Sequence, residues 1–218
     1  MAPGTHAPEA EFSPSEENYL KVVYGLREWE QQKITTGRLA AKLGVSPASA
    51  TTMVAKLVSR GLLNHPPYGS VSLTDTGREV ALTIVRRHRL IETFLVDQLG
   101  YAWDEVHDEA EVLEHTVSER FINRIDALLG HPVSDPHGDP IPTADGESRL
   151  PEATRLDRAA EATAAVVVRI SDVDPSLLRT CAAKGIVPGA TLDTRGHGLT
   201  DDDAAAVWVA PTAARAGE

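Results

Sequence analysis

Apolar positions recur at helical spacing from early in the chain. Ser13-Pro14-Ser15-Glu16-Glu17 has the composition of a helix start, with carboxylates in the first turn. Tyr19, Leu20, Val22, Val23, Leu26 and Trp29 follow three or four residues apart, so a first helix is expected from about Ser15 to Gln31. A short helix then runs to a closing glycine, Thr35 to Gly44, with Val45-Ser46 as the turn. Pro47 opens a further helix to about Arg60, with Ser46 as its N-cap. Ala50, Val54, Leu57 and Val58 are expected to face inward, leaving Ser46, Ser49, Thr51, Thr52 and Lys56 outside. Two short helices around a tight turn, the second opening with small polar residues, form the helix-turn-helix pattern. Leu62 to His65 and Ser70 to Leu73 alternate like strands around a Pro66-Pro67-Tyr68-Gly69 turn, which reads as a wing.

Downstream, the pattern predicts a long helix from about Asp75 to Leu99, another from Trp103 to Val117 and a third from Ser118 to Leu129. Arg86-Arg87-His88-Arg89 on the long helix reads as a solvated face with some phosphate contact. Pro132, Pro136, Pro140, Pro142 and Pro151 exclude helix from the following stretch. Val166 to Ile170, Ala190 to Thr194 and Ala205 to Val209 read as strands, with a short helix from Pro175 to Lys184. The fold class is therefore mainly α with small β elements.

The net charge of -11 argues against DNA binding until it is divided. Residues 1–90 carry eleven Lys+Arg against eight Asp+Glu, a balance of +3. Residues 91–150 carry three against fourteen (-11), and residues 151–218 seven against ten (-3). A phosphate backbone would thus meet the N-terminal third. Cys181 is the lone cysteine, which excludes an intrachain disulfide and cysteine-rich zinc sites and fits a cytoplasmic protein. No apolar run is long enough to span a membrane. Met1 to Glu11 lacks the basic start and apolar centre of a signal peptide.

The acidic third carries the chemistry. His107, Glu111, Glu114 and His115 recur three or four residues apart, so on one continuous helix they share a face. His88 and Glu92 are likewise four apart on the long helix. His88, Glu92 and His107 are expected to form one site, with Glu111, Glu114 and His115 beside it. Imidazole with carboxylate suits Mn, Fe, Co, Ni or Zn, and neither set contains a sulfur donor to select a softer ion. A single such histidine is ordinarily capped or solvated; three with three carboxylates at ligand spacing are not. His65, His131, His137 and His197 sit in turn-rich stretches and His6 in the tail, and all five are expected to be solvent-exposed. Trp29, Trp103 and Cys181 read as packing residues. Two rival readings are a catalytic metal site in a hydrolase, which needs a substrate pocket, and a winged-helix regulator gated by an organic ligand.

These residues resemble the diphtheria toxin repressor family of metal-dependent bacterial regulators. The likeness is carried by Arg87-His88-Arg89-Leu90-Ile91-Glu92, Val106-His107-Asp108-Glu109-Ala110, Glu114-His115 and Asp135-Pro136-His137-Gly138-Asp139-Pro140-Ile141-Pro142. It extends from about Ser15 to Pro142. Ser171 to Asp174 and Gly185 to Gly189 resemble the family's SH3-like C-terminal module more weakly. The resemblance implies a winged helix, a helical dimerisation domain, a cytoplasmic homodimer and metal-dependent binding of double-stranded DNA at a palindromic operator. It places His88, Glu92 and His107 in the ancillary metal site and Glu114 and His115 in the primary one. Where iron-dependent members carry a methionine and a cysteine, this chain has Asn18 and Glu111. That substitution hardens the site and implies the manganese-responsive branch, with Mn(II) as activator. Fe(II) is the alternative effector, and Co(II) or Zn(II) would bind in vitro. The small manganese regulators of the family carry a carboxylate where this chain has Lys21. Asp172 and Asp174 are candidate further ligands from the C-terminal module.

The expected organisation is a disordered tail (1–14), a winged helix-turn-helix DNA-binding domain (15–76), a helical metal-binding and dimerisation domain (77–145), a linker (146–163) and an SH3-like, FeoA-like module (164–218). Ser46, Ser49, Thr51 and Thr52 would read bases, and Lys56, Tyr68 and Ser70 would lie on phosphates. Thr36 and Pro47 complete the expected interface. The function expected is repression of manganese-uptake genes, with no enzymatic activity.

Overall fold

The computed structural model describes residues 12–29, 33–160 and 164–212. The chain divides into two compact units, Met1–Val85 and Arg86–Glu218. The expectation of a disordered tail falls largely outside the described residues.

The first unit opens with α1 (Pro14–Glu28). The Ser13 hydroxyl accepts from Glu16 N, and the Glu16 carboxylate accepts from Ser13 N at 3.0 Å, a reciprocal cap that satisfies two otherwise orphaned donors. The helix ends at Glu28, short of the expected Gln31, which lies outside the described residues. Next come α2 (Thr36–Lys42), capped by Thr35, and α3 (Pro47–Ser59), capped by Ser46 with proline in its first turn. Between them Gly44 adopts φ +64°, the left-handed turn expected of a helix-closing glycine. β1 (Leu63–Asn64) and β2 (Ser72–Leu73) form the antiparallel wing, with Leu63 opposite Leu73. Leu20, Val23, Ile34, Leu39, Val54, Leu57 and Leu63 are buried in the core of this unit. Val58, expected inside, is exposed at 37%.

The boundary between the units falls within α4 (Asp75–Leu99). In the second unit, α5 is confined to Val106–Leu113. It begins later than Trp103 because a turn intervenes, with Glu105 N bonded to Ala102 O. It stops before Val117 because Thr116 N and Val117 N both fold back onto Leu113 O. α6 (Glu119–Leu128) follows, capped by Ser118. Leu90, Ile91, Leu95, Val106, Ala110, Ile122 and Ile125 make the helical core.

The C-terminal module is a four-stranded antiparallel sheet in the order β3-β6-β4-β5. Its strands are β3 (Thr154–Arg155), β4 (Ala164–Ile170), β5 (Thr191–Asp193) and β6 (Val207–Pro211). β3 lies in the stretch expected to be linker; it is held there by pairing with β6, and Leu156 in the adjoining 3-10 turn is buried in the module's core. α7 (Pro175–Ala183) and the single-turn α8 (Asp201–Ala204) pack against the sheet. Cys181 is buried in that core, where desolvation pushes its thiol up to about 11.

Two features fix the 135–140 turn against β4. Ile170 N donates to His137 O at 3.0 Å, and Gly138 sits at φ +90° so close to Val168 O that a Cβ would collide with it.

Candidate metal centre and DNA-reading surface

The basic run on α4 is not a solvated face. Arg86 pairs with Asp126 at 2.9 Å and Arg87 with Glu119, both on α6. Arg89 is buried, donating to Pro140 O at 2.6 Å and lying 3.7 Å from Asp135 and 3.5 Å from Asp139. These arginines are committed to holding α4 against the rest of the second unit, which removes the expected phosphate contact.

His88 and Glu92, one turn apart on α4, are both buried. His88 stands between two carboxylates: its Nδ1 is 2.6 Å from Glu114 Oε2 and its Nε2 is 3.1 Å from Glu92 Oε1. His107 Nδ1 lies 2.9 Å from Asp172 Oδ2 and 3.5 Å from Glu92 Oε1. Its Nε2 is 3.7 Å from Glu111 Oε1. His115 Nε2 is 3.5 Å from Glu114 Oε1. The shared helical face expected for residues 107 to 115 is only half formed. His107 and Glu111 are on α5, whereas Glu114 caps its C-terminus and His115 lies in the turn beyond.

Of the two aspartates offered by the C-terminal module, Asp172 reaches the cluster. Asp174 instead caps α7, accepting from Ser176 N at 2.8 Å and Ser176 Oγ at 2.7 Å.

His137 corrects the expectation of solvent exposure, since it is fully buried. Asp135 makes this possible. Its Oδ1 accepts from His137 N and Asp139 N, both at 2.9 Å, closing a turn that composition alone reads as loose loop. The His137 ring stacks near Trp103, and its Nε2 lies 2.7 Å from Trp103 O. A carbonyl can only accept, so Nε2 carries the hydrogen and the lone pair of the neutral ring is on Nδ1. That Nδ1 faces Glu92 Oε2 at 3.8 Å. A bond that fixes the tautomer of an imidazole is the usual outer-shell support of a metal ligand.

Asn18, on α1 of the first unit, has a buried side-chain oxygen with no hydrogen-bond partner.

The donor atoms fit a divalent cation. Both oxygens of Glu92, together with His107 Nδ1 and His137 Nδ1, are buried without a properly aligned hydrogen bond. Buried polar atoms are rarely left so, because each costs its desolvation. Three donor groups lie within 4.8 Å internally: His88, Glu92, His107 and Asp172; His88, Glu111 and Glu114; and Glu92, Asp135 and His137. The electrostatics of the metal-free cluster agree. For Glu92, burial works to raise the pKa, but His88, His107 and His137 overcome it and hold the carboxyl well below its ordinary value. Asp172 is likewise desolvated, yet His107 keeps it low. Burial opposes the charge on both imidazoles. Even so, Asp172 and Glu92 raise His107 to about 11, and Glu92 and Asp135 raise His137 to about 10. Asp135 is pushed up by burial and by the charges of Asp139 and Glu92. Protons thus occupy positions that a cation would take.

On the first unit, Ser46, Pro47, Ser49, Thr51 and Thr52 are all exposed along the start of α3. Thr51 and Thr52 donate their hydroxyls back to Pro47 O and Ala48 O, so each presents an oxygen lone pair and a methyl outward. Tyr68 stands at the wing tip, 98% exposed and at φ +58°, with Lys33 Nζ donating to its carbonyl. Three expected contacts are less free. The Ser70 hydroxyl accepts from Ile34 N at 3.0 Å and is tied to the backbone. Lys56 is exposed but lies 3.2 Å from the buried Glu16 carboxylate, which also takes Arg60 at 2.7 Å. Thr36 is half-buried in the first turn of α2.

A winged helix-turn-helix in one unit and an imidazole–carboxylate cluster in the other define a metal-dependent DNA-binding regulator. Comparison with known proteins gives the family. Residues 11–71 match "Iron dependent repressor, N-terminal DNA binding domain", residues 74–143 match "Iron dependent repressor, metal binding and dimerisation domain", and residues 154–202 match the FeoA domain. The iron-dependent repressor IdeR of Mycobacterium tuberculosis is 33% identical over 207 residues, spanning 87% of this chain and 89% of its own. A solved manganese-dependent transcriptional repressor in complex with manganese is 45% identical, with a TM-score of 0.83 over 90% of this chain and 100% of its own. ScaR with bound Zn2+ is 35% identical, with a TM-score of 0.76 over 90% of this chain and 99% of its own.

The chain belongs to the diphtheria toxin repressor family. It is a DNA-binding transcriptional repressor that binds divalent metal, not an enzyme, and the hydrolase reading is set aside. Among the described residues no helix is long and apolar enough to cross a membrane.

Proposed function

We propose that this chain is a manganese-dependent repressor of manganese-uptake genes that acts in the cytoplasm as a homodimer on a palindromic operator. The observation that carries the metal assignment is the donor set. Imidazole nitrogens and carboxylate oxygens are gathered at His88, Glu92, His107, Glu111, Glu114, His115 and Asp172, with no thiolate or thioether among them. Asn18 is a further candidate donor, its side-chain oxygen buried without a hydrogen-bond partner. Hard donors of this kind suit Mn(II) over softer ions. A bound ion would neutralise the clustered carboxylates in place of the protons on His107 and His137, and the side chains would hold it within the helical domain. Similarity to a repressor solved with manganese supports the same reading.

Homodimerisation is supported by apolar side chains left outside the helical core. Val112 on α5 and Phe121 and Leu128 on α6 are exposed, and the latter two lie seven residues apart on one helix face. A two-fold dimer presents two copies of α3, and a palindrome matches that symmetry. Base reading is assigned to Ser46, Ser49, Thr51 and Thr52, with Pro47 beside them and Tyr68 at the wing; hydroxyls with few arginines give modest direct readout and leave a share to DNA shape.

Fe(II) is the second reading, favoured by the likeness to the iron-dependent repressor of Mycobacterium tuberculosis. Operator binding measured across a metal panel at buffered free-ion levels, without oxygen, separates the two. The manganese reading expects half-maximal activation by Mn(II) within its cellular free range and by Fe(II) only above its own. Activation by Fe(II) at the lower free concentration would favour the alternative.

A further inference from the structure

The second helix of a helix-turn-helix is the one presented to a polyanion, yet α3 carries only two cations. Lys56 and the C-cap Arg60 are the sole charged residues from Pro47 to Arg60. They follow Thr52 at intervals of four, so the three lie along one exposed stripe of the helix. Both cations are turned to a single carboxylate on α1. Glu16 Oε1 lies 2.7 Å from Arg60 Nη1 and 3.2 Å from Lys56 Nζ, while Oε2 accepts from Ser13 N and Ser13 Oγ, each at 3.0 Å. Glu16 is buried, and the Arg60 guanidinium lies over the Phe12 ring at 4.6 Å. The cations are not buried with it: the Lys56 side chain is 54% exposed and that of Arg60 32%. Each cation therefore meets a fixed oxyanion on one side and solvent on the other.

We infer that Lys56 and Arg60 form a seat for a backbone phosphate of bound DNA, and that Glu16 is the internal anion that occupies the seat in the free protein. A carboxylate and a phosphodiester offer the same thing to a lysine and an arginine one helical turn apart: anionic oxygens at hydrogen-bonding distance. Both side chains have flexible stems that let their charged heads swing outward along the stripe. When they leave, Glu16 keeps its two bonds from Ser13, so its carboxylate stays hydrogen-bonded and the cap of α1 stays closed. DNA binding thus exchanges one anion for another. Paired with Glu16, the two cations present a net charge of one rather than two, which lowers the attraction of this surface for any phosphate backbone. Arg60 joins the DNA-contacting residues, and Glu16 sets how tightly they hold.

The two roles open to Glu16 predict opposite signs. If it were a clamp alone, its removal would loosen α3 and weaken DNA binding; as an internal competitor, its removal strengthens binding. Phosphate contacts carry no sequence information, so a fluorescently labelled mixed-sequence duplex serves as the probe. Anisotropy titrations of the full-length protein with Mn(II) present, repeated across a salt series, give both affinity and salt slope. Glu16→Gln should bind this duplex about 10-fold more tightly than wild type, with a slope of log affinity against log salt steeper by up to about 1, even though the variant unfolds at lower denaturant. Arg60→Ala, which leaves the Ser13 cap in place, should weaken binding and reduce the slope by about 1. Adding Glu16→Gln to Arg60→Ala should gain less than the same change gains in wild type. A folded Glu16→Gln variant that binds no more tightly than wild type overturns the inference, as does an Arg60→Ala variant with the wild-type slope. Arg60→Ala decides the matter if Glu16→Gln does not fold.

Discussion

The protons on the metal-free cluster set a measurable cost for loading it. His107, raised to about 11, and His137, raised to about 10, both carry a proton at neutral pH before metal binds. A metal-ligating imidazole must be neutral at its ligating atom. Filling the cluster therefore displaces two protons over the whole range from pH 6 to pH 8. Each displaced proton contributes about a factor of 10 per pH unit, so the overall loading constant should rise about 100-fold per unit, roughly 10,000-fold across that range. Calorimetry with Mn(II) in buffers of different ionisation enthalpy counts the protons directly. A count of two at pH 7 supports the geometry; a count of zero, with affinity flat from pH 6 to pH 8, refutes the claim that these imidazoles are ligands. The metal-free protein has the opposite dependence at high pH. The raised imidazoles contribute stability that is complete below about 6.5 and lost as pH climbs through about 10 to 11. Glu92 and Asp172, both depressed, contribute stability that is complete above their ordinary values and lost well into acid.

Other perturbations test separate parts of the structure. Glu111→Cys should shift the preference from Mn(II) towards Fe(II) and softer ions in a competition titration, and unchanged selectivity counts against Glu111 as a ligand. Lys56→Ala should weaken operator binding and reduce the slope of log affinity against log salt by about 1; an unchanged slope means Lys56 serves Glu16 alone. Glu16→Gln should cost about 2 kcal/mol in chemical denaturation, because it weakens the Ser13 cap and the pairs with Lys56 and Arg60 together. Glu16 is pulled down to about 2 despite burial, so this contribution is present at neutral pH and fades only as pH falls from about 4.5 towards 2. Gly138→Ala should lower the melting temperature and weaken manganese binding, since the added carbon meets Val168 O at a left-handed backbone position.

Local signals made the DNA-reading half legible in the sequence. Proline, serine caps and glycine stops bracket α2 and α3, and the bounds of α4 follow from unbroken periodicity between Asp75 and Leu99. His88 and Glu92 could be paired from sequence because helical spacing is a short-range property, whereas His107, on α5, reaches them only through the tertiary fold. His137 was not. Prolines and glycine around it suggest a solvated loop, and its burial comes from contacts remote in sequence: Trp103, Glu92 and the backbone of β4. Asp135 two residues before it, able to cap its own turn, was the signal available. Asp172 and Asp174 were indistinguishable from sequence because each stands near the start of α7; the fold spends one on a helix cap and sends the other to His107. The arginines of α4 misled for the same reason, since their carboxylate partners lie 32 to 50 residues further along.

We propose that cation loading of this cluster governs DNA binding. Operator affinity of metal-stripped protein, measured before and after saturation with Mn(II) at constant ionic strength, tests it most directly. Tight binding that appears with manganese and disappears on chelation is expected; equal affinity in the stripped and loaded states would contradict metal control of DNA binding.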